Sequence, residues 1–476
     1  MGKTLTAKIL GRIFSGMTMA AAQRVLLVLL SLLFIFSVLS AQAAVFYPET
    51  FTLANGVEFI VVKNRLSQAV SQMVWYKAGA ADEEQGHSGL AHYLEHLMFR
   101  GTEAIPGSGF SRIIAAYGGQ DNAFTSYDYT AYYVNIAKER LGMIMQMEAD
   151  RMQNLRIDPE TADVELKVVL TERQERIDNN PKGFFAEKMH ASLFPGHPYG
   201  KPVIGWKNEL EKTTAGHARD FHEKHYAPEN AVVIISGDVE LKEVMRLAAG
   251  TYGRLPRRGN AKPRSRHIPE SPYPAEKKVV MQDARIQQPR VNILIAAPSY
   301  KSGKRKEAYA LEVLTEVLGG GEVGELYKRL VVDRKIASFI GVDYDPDVRG
   351  PAVFSIAAAP QPGKDAPGLE KAIEEELKLL AQRGLRRMVV NDAKGRLVRE
   401  AVFARDSLAF PGYAFGQAIA SGQTIEDVES WPERISAVTV QEVNESLRKL
   451  LSSGRRVTGL LLPNTDIYSS PGKDGQ

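Results

Sequence analysis

Two kinds of apolar pattern alternate along the chain. Short runs rich in Val, Ile and Tyr cover 57–62, 69–77 and 130–136, and again 278–282, 290–296 and 353–359. Their length and β-branched content predict strands. Longer stretches with apolar residues three and four apart cover 88–100, 141–152, 308–318 and 369–383, and predict helices. Leu311, Leu314 and Leu318 share one helical face, and Met143, Met145, Met147 and Met152 are expected to pack in a core. The same coarse order, strands then helices, occurs twice. It predicts an α+β fold of two similar domains, each a mainly antiparallel sheet packed with helices, together forming a half-shell. Segment 255–278 is rich in Pro and basic residues, lacks apolar periodicity, and reads as a linker between 44–254 and 279–470.

Composition narrows the class. The chain has 476 residues, 44% hydrophobic and 24% charged, with no cysteine. That excludes a disordered chain, a collagen-like repeat and a disulfide scaffold. The formal charge of +4 belongs entirely to residues 1–43, which hold Lys3, Lys8, Arg12 and Arg24 and no acid. An apolar run over 25–39 follows, then Ala41-Gln42-Ala43, a small-x-small pattern. A basic start, an apolar run and such a site predict a signal peptide over 1–43 and an exported protein, periplasmic if the source is a Gram-negative bacterium. The run falls short of the roughly 20 residues of a membrane span, so no membrane anchor is expected in the mature chain. Met17 and Met19 are alternative starts to Met1. The remaining chain is formally neutral, so charge gives no reason to expect nucleic acid as a partner.

The candidate chemistry lies in 88-SGLAHYLEHLMFRGTE-103. Ser88 is a plausible N-cap, and Leu90, Leu94 and Leu97 supply an apolar helical face. On that helix His92 and His96 lie one turn apart, so two imidazoles reach one metal ion. Glu95 sits beside them, within reach of a metal-bound water. The pattern H-x-x-E-H inverts H-E-x-x-H and supports the same chemistry. A catalytic zinc needs a third protein ligand. In 165-ELKVVLTE-172, Glu165 and Glu172 are seven residues apart and share a helical face. One of them can bind the metal while the other orients its ligands.

These motifs, with 121-DNAFTSYDYTAYY-133, 195-PGHPYGKPVIG-205, 225-HYAPENAVVIISGD-238 and the weaker 318-LGGGEVGELYKRL-330, resemble the pitrilysin/insulinase family of inverzincin metallopeptidases. The likeness is strongest to its short members akin to the mitochondrial processing peptidase β subunit. The resemblance implies a zinc endopeptidase with one Zn²⁺ per chain, bound by His92, His96 and Glu172. It implies Glu95 as general base, Glu165 as a carboxylate behind the ligands, and Asn122 and Ala123 on a strand edge that receives peptide substrate as an added strand.

One departure matters. Self-sufficient members carry an Arg and a Tyr seven positions apart after the Gly-rich turn; Val331 and Ser338 stand there in this chain. Arg329, Arg334 and Tyr344 are near but in another register. The pattern predicts the zinc-bearing half of a heterodimer whose homologous partner supplies Arg and Tyr without the zinc motif. The alternatives are a self-sufficient homodimer and a structural or assembly subunit. Gly319, Gly321 and Gly324 match G-x-G-x-x-G, but a helix rather than a strand is expected before them, so no nucleotide site is read there. His222 and His225 are read as structural, and His87 is given no ligand role.

Overall fold

The computed structural model describes residues 45–259 and 276–464. The expected leader and the middle of the expected linker lie outside the described residues. The linker's ends do not read as free coil: Arg258 donates to the carbonyls of His222 and Met152, both at 3.3 Å, and a strand already begins at Lys277.

The first sheet contains β1 (Glu49–Thr52), β2 (Glu58–Lys63), β3 (Ala69–Tyr76), β4 (Gln120–Thr125), β5 (Thr130–Ala137) and β6 (Ala231–Gly237), in the order β1-β2-β6-β3-β5-β4. The second contains β7 (Lys277–Asp283), β8 (Arg290–Ala297), β9 (Ala337–Tyr344), β10 (Ala352–Pro360) and β11 (Arg456–Pro463), in the order β7-β11-β8-β10-β9. Without β1 the two orders are the same. In each sheet one pair, β2/β6 or β7/β11, is parallel and the others are antiparallel. The repeat read from element order is thus a repeat of sheet topology.

The central strands are buried on both faces, which explains their unbroken apolar runs. In β6 every residue is buried; Val233 and Ile235 enter one core, Val232 and Ile234 another. Helices α1 (Leu90–Leu97), α2 (Leu141–Asn154), α3 (Pro159–Arg173) and α5 (Ala215–His225) pack around the first core. Met145, Met147 and Met152 are buried in it, with Met143 at its margin. His222 and His225 on α5 are buried, and burial pushes each imidazole down to about 3. Helices α6 (Arg305–Gly319), α7 (Ala366–Arg383) and α9 (Val440–Ser452) pack around the second core. α6 runs directly into 319-GGGEVG-324, so no strand precedes those glycines.

Two helices cross over. α4 (Pro181–Leu193) comes from the first half but packs on β7, β8 and β11, whereas α8 (Phe410–Ser421) comes from the second half and packs on β3 and β6. Both approaches depend on glycine. A Cβ on Gly416 of α8 would lie 2.0 Å from Trp75 Cε2, and one on Gly459 of β11 would lie 2.4 Å from Met189 Sδ on α4. A polar contact also joins the halves: the Tyr199 hydroxyl donates to Asp128 Oδ2, and the Gly350 amide donates to that hydroxyl at 2.8 Å.

Candidate metal centre

Helix α1 starts one residue later than its sequence suggests. Gly89, not Ser88, occupies the cap position, with φ 88° in the left-handed region that glycine tolerates. Ser88 is fully buried, and its Oγ accepts from the Trp206 amide at 2.8 Å. The capping carboxylate comes from the preceding turn. Glu83 accepts from Gly89 N at 3.1 Å and Ala91 N at 2.9 Å. Burial raises its carboxyl to about 8. α1 therefore begins at a point fixed by a buried acid and by close packing of the 204–205 loop, where a Cβ on Gly89 would lie 2.5 Å from Ile204 O.

His92 and His96 project from α1 with ring centroids 4.7 Å apart. α3 lies across them, started by Asp158, whose side chain accepts from Thr161 N, and by Pro159 in its first turn. Glu165 and Glu172 both face α1. Glu172 Oε2 lies 3.2 Å from His96 Nε2 and 3.6 Å from His92 Nε2. Tetrahedral ligands about 2.1 Å from one zinc ion are about 3.4 Å apart, and these two distances bracket that spacing. Glu172 Oε2 is buried without a hydrogen-bond partner, and the three ligand atoms lie within 4.8 Å of one another. The donor set fits zinc. It is the one group of three such donors among the described residues.

The surroundings orient these donors. Glu165, 1% exposed, accepts from His96 Nδ1 at 2.9 Å and pairs through its other oxygen with Arg100 Nε. A proton on Nδ1 leaves the Nε2 lone pair facing Glu172. Arg176 Nη1 holds Glu172 Oε1 at 2.6 Å. Burial pulls His96 down, but the carboxylates of Glu165 and Glu172 on either side of the ring outweigh that and raise it to about 9. Burial, with His96 beside it, drives His92 down to about 4. Glu172 is held below the usual carboxylate range, first by the His96 imidazole beside it. The field at this point favours a cation.

Glu95 lies half-buried on the same face of α1. Burial raises its carboxyl above the usual range, opposed by the Thr125 hydroxyl that donates to Oε2. Thr125 ends β4, the outer strand of its sheet. Asn122 and Ala123 on that strand line, with Glu95, a cavity of about 860 Å³. α4 and the 200–204 loop form its other walls.

All the residues lining this cavity come from the first half of the chain. Val331 packs against the second core. The Ser338 hydroxyl is 3.2 Å and 3.0 Å from the Ala359 and Pro360 carbonyls and accepts from Gln288 at 2.9 Å. Arg329 and Arg334 both pair with Glu376, and the Tyr344 hydroxyl donates to the Pro298 carbonyl. The sequence reading missed Glu83, Arg100, Thr125 and Arg176. Arg100 and Arg176 each stand four residues after a candidate ligand, a spacing that usually marks a solvated pair.

Comparison with known proteins agrees with this geometry. The family model "Insulinase (Peptidase family M16)" matches residues 59–207, and "Peptidase M16 inactive domain" matches 212–397. The zinc protease PqqE of Helicobacter pylori is 30% identical over 337 residues, 70% of this chain and 74% of its own. An uncharacterized zinc protease of Mycobacterium leprae is 29% identical over 403 residues, 84% of this chain and 88% of its own. In fold, the chain superposes on the crystal structure of a protease from Helicobacter pylori with a TM-score of 0.79 at 24% identity, covering 87% of this chain and 99% of that one. With both family models matched in succession and relatives named as zinc proteases, the chain belongs to the insulinase family of peptidases, family M16.

Proposed function

We propose that the chain is an exported, zinc-dependent endopeptidase that hydrolyses peptides or unfolded segments, and that it is the zinc-bearing half of a heterodimer. The observation that carries the first part is the convergence of His92, His96 and Glu172 within 4.8 Å, with Glu95 in the same cavity. His92, His96 and Glu172 would hold one zinc ion, with Glu165 fixing the His96 tautomer. Bound zinc acidifies its water and polarises the peptide carbonyl. Glu95 takes the proton from the attacking water and returns it to the leaving amine. Substrate backbone adds to the free edge of β4 at Asn122 and Ala123, which presents the scissile bond to Glu95. Export rests on the basic, then apolar, then small-residue pattern of 1–43.

The heterodimer rests on Val331 and Ser338, neither of which can act as an Arg–Tyr pair on an oxyanion, and on the cavity's first-half lining. The test is zinc content and peptidase activity of the purified chain, alone and with a homologous partner that has Arg and Tyr but no H-x-x-E-H. One zinc per chain, with activity abolished in Glu95→Gln, is the expected result. Full activity in Glu95→Gln would overturn Glu95 as the general base, no peptidase activity alone or with the partner would overturn the enzyme assignment, and full activity of the chain alone would overturn the heterodimer.

A further inference from the structure

A second cavity, of about 410 Å³, lies where Val45 and Phe46, α8 and the segments around Leu397 and Trp431 meet. Its walls are mainly apolar and aromatic, with Phe46, Phe410, Tyr413 and Ala414 among them, and Phe410 is 42% exposed at the surface. Four carboxylates also line it: Glu312, Asp347, the exposed Glu400, and Asp427.

Glu312 and Asp347 are held by neutral donors. Glu312 accepts from the Tyr300 hydroxyl and from Trp431 Nε1 at 3.0 Å, and Asp347 accepts from Gln423 Nε2. Among the described residues no Lys or Arg forms an ion pair with either. The nearby arginines are committed elsewhere: Arg305 and Arg434 hold Asp427 at 2.6 Å and 3.0 Å. Burial lifts Glu312 to about 8, and burial with Asp345 nearby lifts Asp347 to about 7 against the pull of Arg305. Buried carboxylates normally have a cationic partner, and among the described residues neither Glu312 nor Asp347 has one in ion-pair contact. The space beside them is walled by aromatic rings, whose faces also attract cations.

We propose that this cavity binds a small organic cation, a primary ammonium or guanidinium group on an apolar stem. The head sits at Glu312 and Asp347, and the stem lies against Phe46, Phe410 and Tyr413. The volume is near the lower end of the range for small-molecule pockets, which favours a free small molecule over a protein segment. The site is separate from the metal centre but shares a wall with its cavity. Tyr413 stacks on Phe124, with centroids 5.6 Å apart and planes 18° apart, and Phe124 lines the catalytic side.

The test uses the full chain and 2-phenylethylamine, with 2-phenylethanol as its uncharged counterpart, measured by calorimetry and by the fluorescence of Trp431. The readout is independent of zinc and of peptidase activity. The expected result is one amine bound per chain, with the alcohol weaker by about tenfold or more, the loss of one charge-assisted contact. Glu312→Gln should remove that preference, and Asp347→Asn should weaken the amine without affecting the alcohol. Ala401→Phe, which fills the cavity, should abolish binding of both. Equal binding of amine and alcohol to the unaltered chain, no binding of either at millimolar concentration, or a preference unchanged in both carboxylate variants would overturn the proposal.

Discussion

Truncating Glu165 tests the metal centre at its most informative point, because this residue reaches the ligand set only through His96. Glu165→Ala removes the acceptor at 2.9 Å from His96 Nδ1 and the counter-charge of Arg100. The α3 backbone should survive, since alanine is the best helix former. Two effects then weaken zinc binding. His96 loses the bond that fixes its tautomer, and Arg100 keeps an unbalanced positive charge near the cation. Removal of such an orienting partner typically costs 10–100-fold in metal affinity, about 1.4–2.7 kcal/mol. Glu165→Gln separates the two effects. Its amide oxygen still accepts from Nδ1, but it carries no charge and turns an N–H toward Arg100, so part of the loss should return. The assay is a competition titration of zinc against a chelator of known affinity, with metal-free melting temperature as the control for folding. Zinc affinity of the Ala variant within about twofold of the parent would refute the reasoning. A Gln variant as weak as Ala would refute the tautomer argument alone.

Three further outcomes follow from the packing and the caps. Glu83 has a folded value of about 8 against an ordinary 4.5, so its contribution to stability is complete below pH 4.5 and is lost as pH rises through about 8. Glu83→Gln should therefore reduce the fall in melting temperature between pH 5 and 9, and an unchanged slope would contradict that assignment. Gly416→Val drives a side chain into Trp75, where even a Cβ would be 2.0 Å from the ring. Chemical denaturation should show a loss at or above the ~1–3 kcal/mol typical of overpacking, whereas Gly250→Ala, with nothing within 4 Å, should be neutral or stabilising. Tyr199→Phe leaves the Gly350 amide and Asp128 without the hydroxyl that joins them, and should cost about 1–3 kcal/mol in the same assay.

The sequence made the local features legible. The run 69–77 is β3 (Ala69–Tyr76), 130–136 lies within β5, and the i, i+4 spacing of His92 and His96 needs only one turn of helix to bring two imidazoles together. The spacing of Glu165 and Glu172 places both on one helical face, but their roles were implied by the family resemblance and not by the spacing. Contacts set by tertiary approach were not readable. Ser88 has the right chemistry for a cap, but a competing bond to Trp206 N occupies its hydroxyl, and the cap passes to Glu83 in the turn before. Thr125 meets Glu95 only because β4 lies beside α1. The crossing of α4 and α8 leaves no periodic signature, since a helix apolar on one face looks the same whichever sheet it covers.

That crossing gives the second half a part in the proposed chemistry without a side chain in the cavity. α4 presents two faces. Phe185, Met189 and Leu193, at four-residue intervals, pack with Leu294, Val457 and Leu461 over the second sheet. Gly183, Ala186, Glu187 and His190, at three- and four-residue intervals, line the cavity beside Glu95. The wall opposite β4 is therefore held by β8 and β11. Its position is tight at both contacts: a Cβ on Gly183 would lie 2.1 Å from Arg176 O, and one on Gly459 would lie 2.5 Å from Phe185 Cζ. Arg176 in turn holds Glu172 at 2.6 Å. A shift of the second sheet would thus reach Glu172, a candidate zinc ligand, through one helix and one arginine. The half that lacks the zinc motif acts as the platform against which the ligand-bearing helices are set.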